Sequence, residues 1–96
     1  MHAVVRSYSE PVASKLFDLL EQRKEDVKSL ISGVPGFISY TAVRSGEGGV
    51  TVTVCQDKAG TDESSRRAAE WVKANLSTTG SPPEISEGSA VLHFNS

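Results

Sequence analysis

The chain has 96 residues, with 10 Lys and Arg against 12 Asp and Glu and a formal charge of −2. Leu, Ile, Val and Phe make up about a quarter of it, enough to build a core, so disorder is excluded for the bulk of the chain. The balance of charge gives no basic field for nucleic acid, and a single cysteine excludes an internal disulfide or a multi-cysteine metal cluster.

The length predicts one domain spanning residues 1–96. The first residues, MHAVVRSYSEP, lack the charged-then-apolar pattern of a signal peptide, and no apolar run approaches membrane length. The expectation is a cytoplasmic protein without a membrane anchor.

In chain order, His2–Ser9 reads as a strand through Val4, Val5 and Tyr8. Ser9-Glu10-Pro11 reads as a helix start, with Ser9 as cap and Glu10 at the positive end of the dipole. Val12, Leu16, Leu19, Leu20, Val27, Leu30 and Ile31 then recur at steps of three and four, with Phe17 beside them. This predicts one amphipathic helix of about five turns, interrupted in pattern at Arg23 and stopped by Gly33 and Pro35. Gly36–Arg44 and Gly49–Gln56 read as strands joined by the glycine-rich Ser45–Gly48 turn. Thr61 is the expected cap of a second helix ending at Leu76, with Ala68, Trp71, Val72, Asn75 and Leu76 on its inner stripe. Ser77–Glu87 reads as a loop and Gly88–Asn95 as the last strand.

The order βαββαβ predicts a ferredoxin-like α+β fold: a four-stranded antiparallel sheet with both helices on one face. The third strand alternates Val50, Val52 and Val54 with Thr51, Thr53 and Cys55, and neither side carries a charge. A strand with one wet face should alternate apolar with clearly polar groups. The face the helices leave open is therefore expected to meet a second copy of the chain, although Val and Thr also suit any strand.

Few residues carry chemistry. Trp71 is either the main core aromatic or the wall of a pocket, and Tyr40 either packs or contacts a ligand. Arg6 and Arg44 lie on strands, where a charge requires solvent or an anion. His2 and His93 fall on neighbouring strands of the expected sheet, but two histidines are too few for a zinc centre, so no metal is expected. Cys55 reads as a small buried hydrophobe. The glycine cluster precedes a strand, so it is no phosphate cradle, and the third strand lacks the stacking aromatics of an RNA-recognition module.

The long charged first helix, the Val34-Pro35-Gly36-Phe37-Ile38-Ser39-Tyr40 entry to the second strand, the Val/Thr third strand and the Trp71 helix together resemble the dimeric α+β barrel superfamily, in particular antibiotic-biosynthesis-monooxygenase-like domains. The resemblance covers nearly the whole chain. It implies a sheet-to-sheet homodimer with a ligand cleft between sheet and helices. It further implies a cofactor-independent monooxygenase acting on a small aromatic or phenolic substrate, or a non-catalytic dimeric binding module using the same cleft. The oxygenase branch uses Trp, Tyr, Asn and Arg side chains, types that Trp71, Tyr40, Asn75 and Arg6 match; the expected catalytic residues are Trp71, His93 and Arg6, and the expected substrate contacts Tyr40, Trp71, Asn75 and Phe17. The haem-degrading branch of that superfamily uses a helical histidine as iron ligand. This chain has none in either expected helix, so no cofactor is expected. The third strand also departs from the Trp and Glu ending that many members show.

Overall fold

The computed structural model describes residues 1–46, 48–76 and 82–94. The elements run β1 (His2–Tyr8), α1 (Val12–Gln22), α2 (Lys24–Ser32), β2 (Phe37–Ser45), β3 (Gly48–Cys55), α3 (Lys58–Asn75) and β4 (Glu84–Ser89). The strands form one antiparallel sheet in the order β2-β3-β1-β4, as the ferredoxin-like expectation requires.

Pairing fixes which side chains share a face. Arg6 opposes Thr51 and Val4 opposes Thr53, while Val5 opposes Val52. The helices cover the Val4, Arg6, Thr51, Thr53 and Cys55 side, so the threonine edge of β3 is the buried one. Leu16, Phe17, Val12, Val27 and Ile31 close that layer from above. Phe17 lies flat enough on β3 that a Cβ at Gly49 would collide with its ring, so the strand has a glycine where the aromatic needs room. Gly60 serves α3 similarly: a Cβ there would sit 2.8 Å from the Cys55 Cβ. Cys55 is fully buried, and burial raises its thiol pKa, in keeping with a packing role.

Among the described residues, no helix covers the opposite face. Val5, Val50 and Val52 stand there, and Val43 is 47% exposed. Val91, Leu92 and Phe94 follow β4 and are 96%, 78% and 77% exposed.

Four local expectations change. The first helix is two, because Arg23 leaves helical geometry at φ −115° and ψ 31°, the position where the apolar stripe was interrupted. Its start is held by the Glu10 carboxylate, which accepts from Ser14 N–H at 2.6 Å and Ser14 Oγ at 2.9 Å, and the Ser9 side chain gives no cap. The last helix begins one turn before Thr61, because Asp57 Oδ1 accepts from Gly60 N–H at 3.0 Å; Thr61 is buried inside it. Finally, β4 is Glu84–Ser89 and not Gly88–Asn95, so Ile85 is a strand residue and His93 lies beyond the sheet. Its pairing ends where Ala90 N–H meets Met1 O at 2.9 Å. The end of the expected strand, Asn95, and the first part of the expected loop before it, residues 77–81, lie outside the described residues.

Candidate functional site

Arg6 stands at the centre of the helix-covered face, on an inner strand, and is 2% exposed. Its Nη1 donates to Thr53 Oγ1 at 3.1 Å, and Nη2 donates to Ser64 Oγ at 2.9 Å and Ser65 Oγ at 2.8 Å. These partners are neutral hydroxyls. Among the described residues no carboxylate pairs with it, and its Nε–H has no acceptor. Burial lowers its pKa, although a guanidinium stays charged through any ordinary pH. A buried cation without a counterion is costly unless an anion completes it.

Two phenols stand beside it. Tyr8 is two residues along β1 on the same face, and Tyr40 comes from β2. Burial raises the pKa of each, with Arg6 pulling both back down; the Tyr8 charge adds to the rise at Tyr40. The Thr51 hydroxyl lies close enough to favour ionised Tyr40, yet its oxygen meets no partner in hydrogen-bond geometry. Tyr8 and Tyr40 are the only tyrosines in the chain. An alkaline titration followed at 295 nm is therefore expected to lag behind free tyrosine for both phenols, and to coincide with it in denaturant. Because folding favours the neutral phenols, stability falls as pH rises past 10, where the unfolded chain ionises.

Two adjoining spaces surround this group. A cleft of about 570 Å³ opens between α2 and β2, walled by Leu20, Val27, Ile31, Phe37, Tyr40 and Ala42, with Lys24 and Lys28 at its lip. Behind Tyr40 lies a void of about 20 Å³ that Arg6, Tyr8, Thr51 and Trp71 line, sharing Leu20, Val27, Ile31 and Tyr40 with the cleft. Trp71 thus stands over Arg6 from α3.

The remaining candidates sit elsewhere. Asn75 Nδ2 donates to Trp71 O at 2.9 Å, and its Oδ1 accepts from Arg23 Nη1 at 3.4 Å, which places it at the end of α3. Phe17 packs edge-on against Tyr8, with centroids 6.1 Å apart, in the core. His93 lines neither space, and its Nε2 is buried without a partner. His2 Nε2 lies 3.0 Å from Glu87 Oε1, a pairing created by the shifted β4. Arg44 donates to Asp18 Oδ1 at 2.8 Å on the surface. Among the described residues no group of three His, Cys, Asp or Glu is placed to hold a metal. Among the same residues, no helix is long and apolar enough to cross a membrane. Tyr8 is the site residue that sequence reasoning left as a plain strand aromatic; its spacing of two from Arg6 was the available signal.

No protein-family model and no curated protein sequence matches the chain. Solved structures do. The NE2512 protein of unknown function from Nitrosomonas europaea aligns at TM-score 0.72 and 22% identity, over 99% of this chain and 92% of its own. A monooxygenase from the gene ActVA-Orf6 of Streptomyces coelicolor, in complex with nanaomycin D, aligns at TM-score 0.71 and 22% identity, over 99% and 91%. The chain shares the ferredoxin-like α+β fold of these structures. The heme-degrader MhuD of Mycobacterium tuberculosis, with two hemes bound, aligns at TM-score 0.64 and 15% identity, over 99% and 100%.

The residues of this chain do not fit a haem. Neither histidine lines the cleft, His2 being held by Glu87 and His93 lying past β4. Tyr40, the phenol at the cleft, is kept neutral by burial, which opposes the phenolate that a tyrosine ligand supplies.

Proposed function

We propose that this chain is a homodimeric, cofactor-independent monooxygenase whose α2–β2 cleft takes a small phenolic substrate. The observation that carries the reading is Arg6, a buried guanidinium lacking an anion beside an apolar cleft. The ring of the substrate occupies the cleft, and its oxygen reaches past Tyr40 towards Arg6 and Tyr8. There the guanidinium stabilises the phenolate or enolate form, the preorganised charge being strongest away from water. Trp71 closes the small void behind Tyr40 in which the substrate oxygen meets Arg6.

For an anthrone-type phenol the chemistry closes without a cofactor. A ring CH₂ proton passes to water at the cleft mouth, giving a carbanion delocalised onto the oxygen held by Arg6. The carbanion reduces dioxygen and forms a C–O bond, and the peroxide anion takes a proton back from that water, giving a hydroperoxide. Cleavage of its O–O bond with loss of the second CH proton releases water and leaves a carbonyl. The net change is CH₂ plus O₂ to C=O plus H₂O. The protein supplies binding, charge stabilisation and exclusion of solvent.

The similarity of fold to the Streptomyces monooxygenase supports this reading, and the uncovered valine face with the exposed Val91, Leu92 and Phe94 supports the dimer. The second copy packs against that face, burying on the order of 800 Å² per partner. Dioxygen uptake with an anthrone-type phenol tests the activity. Trp71→Phe is expected to lower uptake about tenfold, because the smaller ring loosens the void beside Arg6 that Trp71 lines. Saturable binding without uptake contradicts the enzyme and leaves a binding module.

A further inference from the structure

Arg6 borders a second space that the cleft does not use. A recess of about 340 Å³ opens between α3 and β4, at the sheet edge opposite the α2–β2 cleft. Arg6, Tyr8 and Ser65 line it towards the sheet. Ala68, Ala69 and Val72 of α3 face Pro82, Pro83 and Ile85 across it, and Lys73 stands in its wall near the end of the helix. Its lining thus joins two cations to a largely apolar surface, and no acidic side chain takes part among the described residues.

We infer that this recess is a separate binding site for a small carboxylate with an apolar body, of benzoate size. Three features converge on that chemistry. Arg6 is buried, lacks a counterion and keeps an unpaired Nε–H, so an anion at this point removes an existing penalty. The alanine, valine, proline and isoleucine walls favour an organic body over a fully hydrated inorganic anion. Lys73 adds charge of the same sign at the recess, so the local field repels cations and favours an anion over its neutral isostere. The inference shares one premise with the proposed function, the missing counterion of Arg6, but does not require that the α2–β2 cleft oxidise a phenol.

The test is a methyl and amide NMR titration of the whole chain with benzoate, set against benzyl alcohol as the neutral isostere. Saturable shifts are expected at Ala68, Ala69, Val72 and Ile85, with benzoate binding about tenfold tighter than the alcohol. Lys73→Glu is expected to weaken benzoate about threefold and leave the alcohol unchanged. Ala69→Phe, at an exposed position on α3, is expected to fill the recess and remove the shifts without unfolding the chain. Equal affinity for acid and alcohol, shifts confined to Ile31, Phe37 and Ala42 of the other cleft, or no saturable shift at all would overturn the inference. The oxygenase reading fails on a different measurement, the absence of dioxygen uptake with a phenol.

Discussion

Replacing Arg6 with methionine is expected to weaken phenolate binding ten- to hundredfold while shifting the midpoint of thermal unfolding by no more than about 5 °C. The two halves have separate causes. A charge-assisted hydrogen bond from a buried guanidinium contributes about 1.5–3 kcal/mol, which converts to that range of affinity. For stability, methionine removes a buried cation whose desolvation no carboxylate offsets, and loses bonds to Thr53, Ser64 and Ser65. Exchanging a buried ion for an apolar side chain of similar volume is often neutral or favourable. Ser64 also keeps its own acceptor, donating to Thr61 O at 2.7 Å. Calorimetry and phenolate titration of the same variant check both halves. A large fall in melting temperature with unchanged affinity would make Arg6 a structural residue.

Val52→Glu is expected to convert the proposed dimer to monomers at micromolar concentration. Val52 lies on β3 and opposes Val5, on the face without a helix. In a two-fold interface each copy contributes the new carboxylate, so two unpaired charges are desolvated at once. At about 2–3 kcal/mol each after relaxation, this weakens association by about a thousandfold or more. Light scattering after gel filtration reads the outcome: wild type at about twice the 10.2 kDa of one chain, the variant at one. Because the same side chain faces solvent in a lone subunit, the variant keeps its circular dichroism. A wild-type chain that is already monomeric contradicts the dimer.

Sheet and helices were legible because β3 alternates Val and Thr and the helical stripes repeat at steps of three and four. What was not legible depended on competition between local and distant partners. Ala90-Val91-Leu92-His93-Phe94 has the stronger strand composition, yet β1 pairs with the polar Glu84–Ser89. Strand propensity measures fit to a neighbouring surface, and that surface is set by residues far away in sequence. Thr61-Asp62-Glu63 imitates a helix start, but Asp57 caps a turn earlier, and Thr61 is then free to bury against the sheet. The site divides in the same way. A strand arginine announces that it needs an anion or water. Its exclusion from both emerges only when α3 closes over the sheet, whereas the phenol two residues along was available from the strand spacing. Trp71, His93 and Asn75 were all expected site residues; the structure sets Trp71 in the void with Arg6, Asn75 at the end of α3 and His93 past β4.

The most direct measurement concerns Arg6 as an oxyanion site. A nitrophenol whose pKa lies near neutral pH changes colour on ionising, so its absorbance reports its protonation state when bound. Held at a pH just below that pKa, the wild-type protein is expected to increase the phenolate band saturably, and Arg6→Gln is expected to abolish the increase. Binding that leaves the spectrum of the phenol unchanged, or a band that grows equally in both proteins, would contradict the account.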